Sequence, residues 1–526
     1  MFNYSYSAAV YGLKVCIIRV EADVSDGLPL FNLVGYLGSE VKEARDRVRV
    51  SVKNSGFKLK TKRITVNLSP GDLRKEGAAF DLPIAVSVLA AFGYVAEEML
   101  HNVLIVGELG LDGTVKPVTG ILPIVSEAKE QGFDTCIIPQ GNIKEGRVVT
   151  GLRVAGVSTL QEAVALLIRR NGKTDRSMQG ENPAEIGDLW EHVDAGGSKD
   201  VEEEYDFADI RGQELMKRAM SVAAAGMHNI LMIGPPGSGK TMMARRIPGI
   251  LPELTMEEAM EISKIYSIAG LLDNNEYFIT RRPFRSPHHT ITDAAMAGGG
   301  TIPKPGELSL AMGGVLFLDE LTEFRKSTLE LLRQPLEDRF ITIARLQGTY
   351  RYPADFMLAA AMNPCSCGYY PDMSRCSCTP AQIQRYLGRI SQPLLDRIDI
   401  CAEALEVSCR QIGTEPAGEG SADIRERVRA ARARQMERYR DEVFLYNAQL
   451  TSRAVARYCV LGSAETEFLE EVFGRLKLSA RAYHRILKVA RTIADMEEAD
   501  TITTAHLSEA VCYRSMDKKY WGCNGD

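Results

Sequence analysis

Residues 234–241 read Gly-Pro-Pro-Gly-Ser-Gly-Lys-Thr, a pattern whose residue types suit one task, the holding of a polyphosphate. Gly234, Gly237 and Gly239 let backbone N–H groups turn inward around phosphate oxygens, with Pro235, Pro236 and Ser238 completing the loop. Lys240 brings a point charge to the β- and γ-phosphates, and the Thr241 hydroxyl is a ligand for Mg²⁺. The loop follows the apolar run Ile230-Leu-Met-Ile233, the strand-then-helix setting that its mechanics require. A second apolar run, Val315-Leu-Phe-Leu318, ends in Asp319-Glu320. Such a pair can divide the work, Asp319 holding Mg²⁺ and Glu320 polarising an attacking water. A third run, Phe356 to Ala361, leads to Asn363, which either aligns that water and senses the γ-phosphate or only turns the chain before Pro364.

Other residues carry chemistry of a different kind. Cys365, Cys367, Cys376 and Cys378 could surround one structural Zn²⁺, although the single residue inside each pair departs from the usual spacing of two to four. His288 and His289 are alternative ligands only if the fold brings them near. The stretch Arg281-Arg-Pro-Phe-Arg-Ser-Pro-His-His289 mixes basic and aromatic groups, and Arg339 and Arg345 flank Phe-Ile-Thr-Ile-Ala. Cationic side chains there suit nucleic-acid phosphates, with Phe284 as a stacking ring and Arg285, His288, His289 and Arg345 as the contacts; an ordinary loop and hairpin packed on neighbouring subunits is the alternative. Arg425 to Arg440 holds seven arginines that spread around most of a helix, an arrangement that favours solvent or subunit contacts over a DNA stripe.

These residues need elements to position them. Residues 1–170 read as a compact α/β domain, with strands at Val15–Val20 and Ile64–Leu68 and helices at Asp81–Phe92 and Leu122–Gln131. In 171–204 acidic residues outnumber basic ones ten to three and apolar residues are sparse, the composition of a linker. The three apolar runs of 205–412 are those of central parallel strands covered on both faces. A polar connector, 413–420, precedes a helical region, 421–526, in which Ser479 to Met496 shows helical apolar spacing. The chain of 526 residues, 45% hydrophobic and 25% charged, is ordinary for a globular protein. Its net charge of −6 confines any nucleic-acid contact to local basic patches. Eleven cysteines, an odd number, suit a reducing compartment; neither a signal-peptide pattern nor a membrane-spanning run is evident, so a cytoplasmic location is expected.

Together these motifs resemble the magnesium-chelatase-like AAA+ ATPases, specifically the YifB/ComM type, over nearly the whole chain. Asp206-Phe-Ala-Asp-Ile-Arg-Gly-Gln213 resembles the segment that cups adenine, with Ile210 and Gly212 as nucleotide contacts. Gly300 to Leu310, Arg285-Ser-Pro-His-His289 and Asn363-Pro-Cys-Ser-Cys-Gly368 are characteristic of the type. The resemblance implies that Asn363 is sensor 1, that Arg397 is an arginine finger acting on the neighbouring subunit, and that Arg481 is sensor 2. A surface ion pair is the plain alternative for each arginine. A finger acting in trans implies a ring, expected to be a homohexamer.

The N-terminal region resembles the Lon protease domain, of ribosomal S5-type fold, through Lys75-Glu-Gly-Ala-Ala-Phe-Asp81 and Val106 to Pro117. By that alignment the serine position falls on Ala79 and the lysine position near Leu122, side chains that can neither attack a carbonyl nor take a proton. No peptide cleavage is expected. The expected fold class is therefore α/β, with a Lon-like domain, a central P-loop AAA+ core and a C-terminal helical lid. The resemblance implies an ATP- and Mg²⁺-dependent ring that binds single-stranded or branched DNA and drives helicase-like branch migration in recombination or natural transformation. A chelatase-type ATPase that remodels a protein partner, and an assembly module that binds ATP without useful turnover, are the alternatives.

Overall fold

The computed structural model describes residues 1–169, 205–273, 275–300, 303–345, 348–406, 418–476 and 478–521. The linker expected over 171–204 lies outside the described residues, as does 413–417 of the expected connector. The chain forms two compact units. One takes the described residues up to 169 together with Met256–Thr280; the other takes the rest.

In the first unit a seven-stranded sheet runs in the order Leu30–Val34, Arg63–Ser69, Lys14–Ser25, Phe2–Tyr11, Val103–Ile105, Thr135–Pro139, Arg153–Val157. Strand Lys14–Ser25 pairs antiparallel with both its neighbours, and the remaining pairings are parallel. Ile18, Val20, Ala22 and Val24 alternate inward and are buried, as period-two patterning requires. They share one core with helix Asp81–Ala91, which is apolar almost all round and buried along its whole length. Its Asp81 is matched by Arg47, with N–O distances of 2.7 and 2.9 Å.

A second core joins Ala8, Leu104 and Ile138 to helix Ile121–Glu130. Ala79 packs partly buried against it and Leu122 is fully buried within it. Helix Met256–Ala269 belongs here too, although it comes from the span expected for the ATPase core. Its Met260 packs on this second core, and its Ser267 donates to Glu145, which also accepts the Leu122 N–H at 2.9 Å. Burial raises the pKa of Glu145 against these donors.

The second unit is built on a five-stranded sheet in the order Phe284–Arg285, Val315–Leu318, Met357–Met362, Ile230–Ile233, Ile400–Glu403, parallel throughout. The three apolar runs are its central strands, buried at every residue. Helix Ala480–Met496 starts where Ser479 accepts the Ala482 N–H at 3.2 Å, a cap contributing roughly 1 kcal/mol. Its buried Ile486, Val489, Ala490 and Ile493 continue the core that surrounds Ile230 and Met232. The fold is thus α/β with a helical C-terminal region. No described helix is long and apolar enough to cross a membrane.

Candidate nucleotide site

Because the sheet is parallel, the C-terminal ends of three neighbouring strands open on one edge, where such sheets present their ligand sites. The register places Ile233 beside Met362 and Leu318 beside Ala360, so the loop 234–241, Asp319-Glu320 and Asn363 meet there. Gly239, at φ 83°, makes the left-handed turn that launches helix Lys240–Ala244. Lys240 is only 8% exposed; its ammonium donates to the carbonyls of Gly234 (2.8 Å) and Pro235 (2.9 Å) and to Asn363 Oδ1 (3.2 Å). Burial lowers its pKa, and Asp319 opposes that shift.

The Thr241 hydroxyl donates to Asp319 Oδ2 at 2.6 Å, and Asp319 Oδ1 accepts the Glu320 N–H at 2.9 Å. Hydroxyl and carboxylate oxygens so placed are the hard donors that Mg²⁺ takes. Glu320 sits at φ 50°, a conformation uncommon for residues other than glycine and often found at functional sites. Its carboxylate is largely exposed, with Oε2 3.5 Å from His289 Nδ1. A cleft of about 300 Å³ runs past Lys240, Asp319, Glu320, Asn363, Tyr386 and Arg389.

Two of the residues around this site, Arg389 and Tyr386, have no motif to announce them. Arg389, which donates to the Thr322 carbonyl (3.1 Å) and to Glu323 (2.8 Å), and Tyr386 come from beyond the cysteine loop. Gln213 clamps the loop from the other side, accepting the Leu405 N–H at 3.1 Å and reaching the Ser238 carbonyl at 3.4 Å. It follows Gly212, and Ile210 nearby is 3% exposed. Arg397 is buried and turned into its own chain: it donates to the Arg333 carbonyl at 3.0 Å and lies 2.6 Å from Glu337. Arg481 is 64% exposed, 3.5 Å from Asp396.

Directly behind Asn363, the sulfurs of Cys365, Cys367, Cys376 and Cys378 lie within 4.8 Å of one another. His288 and His289 face elsewhere, His289 toward Glu320 and His288 toward Thr290 Oγ1 at 2.9 Å.

Comparison with known proteins finds family models that match three stretches of the chain. The family model for magnesium chelatase, subunit ChlI, matches residues 206–412; a second model for subunit ChlI of Mg-chelatase matches 20–142; and one for the ChlI C-terminal region matches 418–514. The chain is 43% identical over 514 residues to competence protein ComM of Haemophilus influenzae, covering 97% of each chain. It is 42% identical over 518 residues to YifB of Escherichia coli (strain K12), covering 98% of this chain and 97% of that one. The chain belongs to the YifB/ComM-type, magnesium-chelatase-like family. A shorter match, 34% over 165 residues, reaches DNA repair protein RadA of Halalkalibacterium halodurans and covers 31% of this chain and 35% of that protein.

In this YifB/ComM-type chain the residues expected to meet DNA are not alike. Phe284, expected as a stacking ring, instead lies against Phe317 with centroids 5.9 Å apart, because its strand adds to the sheet edge and turns the ring toward the core. Arg285 is held by Glu307 through two contacts of 2.7 Å. Arg345 stands exposed at the end of the hairpin Phe340–Arg345/Gly348–Pro353. Of the arginine-rich helix, Arg425 binds the Gly249 carbonyl, Arg432 lies over Tyr446 and Arg438 pairs with Asp495, so much of its charge is spent within the chain.

Proposed function

We propose that this protein is an ATP-hydrolysing motor that works as a homohexameric ring, moves on single-stranded or branched DNA and drives branch migration. The observation that carries the ATPase reading is the meeting of Lys240, Thr241, Asp319, Glu320 and Asn363 at one sheet edge. The names borne by the relatives, a competence protein and a DNA repair protein, support the DNA task.

On this reading the Lys240 ammonium exchanges the carbonyls of Gly234 and Pro235 for the β- and γ-phosphates. Thr241 and Asp319 would hold Mg²⁺, which would supply positive charge against the phosphate oxygens. Glu320 accepts the proton of the attacking water, and Asn363 orients that water. Arg397 of a neighbouring copy, released from Glu337, steadies the charge that develops, a contribution worth about 10³–10⁵ in rate. Zn²⁺ in the four-cysteine cluster is a third cofactor.

ATPase rate at low salt, with and without single-stranded and branched DNA, tests this reading. Stimulation by DNA, weakening as salt rises, is the expected result. Turnover indifferent to every DNA would count against the DNA task.

A further inference from the structure

We infer that Cys365, Cys367, Cys376 and Cys378 bind one Zn²⁺ as four thiolates, and that this ion fixes the wall of the nucleotide site that carries Asn363. The proposal deepens the cofactor reading above and depends on neither DNA nor the ring. Sulfur separations are 3.3 Å for Cys365–Cys367, 3.8 Å for Cys365–Cys376 and 3.5 Å for Cys367–Cys376. A tetrahedral ion with Zn–S bonds of about 2.3 Å places its sulfurs about 3.8 Å apart, so the cluster is close to the needed size. Cys365 and Cys378 are buried, and Cys365 accepts the Tyr370 N–H at 3.4 Å, the kind of backbone donor that steadies a ligating sulfur.

No helix or strand lies between Met362 and Pro380, so the segment lacks a regular ladder to hold its shape. It nevertheless forms part of the nucleotide site. Cys365 is two residues from Asn363, whose amide oxygen meets Lys240, and Ser366 lines the cleft while contacting Cys378 Sγ at 3.2 Å. Gly368, at φ 88°, lies so close to the phosphate loop that a Cβ there would stand 2.5 Å from Pro236 Cδ. Four thiolates on one ion tie both ends of this turn to one point. Without the ion, Asn363 loses the anchor behind it, and displacement of a catalytic group by about 1 Å can cost about a hundredfold in rate.

The test uses the full chain, purified without chelator from zinc-supplemented cells, with zinc measured by mass spectrometry. The expected result is about one Zn²⁺ per wild-type chain, and near none in the double variant Cys376→Ser/Cys378→Ser. Wild type stripped with a zinc-selective chelator under thiol reductant, in excess Mg²⁺, should lose at least about tenfold in hydrolysis, with a smaller change in ATP affinity, and regain it when Zn²⁺ is returned. That reversible arm stands even if the double variant fails to fold. A wild-type chain without zinc, or a zinc-free chain hydrolysing at the wild-type rate, would overturn the proposal. Glu320→Gln should keep its zinc while losing hydrolysis. A zinc-loaded wild type that never turns over ATP would overturn the motor reading and leave the metal site supported.

Discussion

Lys240 spends its charge on two loop carbonyls, a self-contact that phosphate oxygens can replace, whereas Glu320 keeps its carboxylate largely exposed, 3.5 Å from His289. Replacing Glu320 with Gln removes the base but leaves the phosphate contacts, so steady-state turnover should fall by about 10²–10⁴ while ATP still binds. The basic residues separate in the same manner. Arg345→Ala should weaken DNA binding across sequences and lower its salt slope by about 1, read from affinities at several salt concentrations. Arg285→Ala should instead lower the melting temperature and leave that slope unchanged, because its partner is Glu307. The phosphate loop, Asp319-Glu320 and Asn363 were legible in the sequence because each adjoins a short apolar run. Arg389, Tyr386 and the turning of Arg397 onto Glu337 were not, since each depends on segments that only the fold brings together.

Helix Ala480–Met496 was equally plain from its spacing, yet its polar face held something that periodicity does not reveal. Arg485 lies 3.2 Å from Asp399, which also accepts the Asn229 N–H at 3.1 Å and faces His228 at 3.5 Å. His228 in turn meets Thr492 of the same helix at 2.7 Å. Burial alone would raise the Asp399 carboxyl; Arg485, His228 and Lys488 outweigh it and hold it well below the ordinary range. Burial lowers Lys488 to about 8 in spite of Asp399. This network joins the segment after Arg397 and the residues before the phosphate-loop strand to helix Ala480–Met496. Asp399→Asn removes the carboxylate that pairs with the largely covered Arg485 and should cost about 3 kcal/mol in denaturant unfolding. A carboxyl held below its unfolded value stabilises the fold above about pH 3.9, and that stability is lost as the pH falls through the depressed folded value. The variant should therefore show a shallower acid limb than wild type.

At the scale of the molecule, composition separated an N-terminal α/β region from a nucleotide-binding one, but it did not show that residues 256–280 rejoin the first unit. Helix Met256–Ala269 has no compositional break before it, and its apolar positions would suit either core. What assigns it is specific contact: the Gly120 N–H donates to the Ser267 carbonyl at 3.1 Å, and Glu145 gathers both Ser267 Oγ and the Leu122 N–H. The position where a Lon-type lysine would stand is thus part of a seat for this helix. The seat changes what holds the molecule together. A chain that leaves one unit, returns to it for 25 residues and leaves again is stitched, so backbone continuity between residues 169 and 205 is not the sole bond between its halves. Split at that interval and expressed from two genes, the halves should find each other and co-elute as one species in gel filtration. The substitution Glu145→Ala, which removes the acceptor of both Ser267 Oγ and the Leu122 N–H, should then weaken that co-elution.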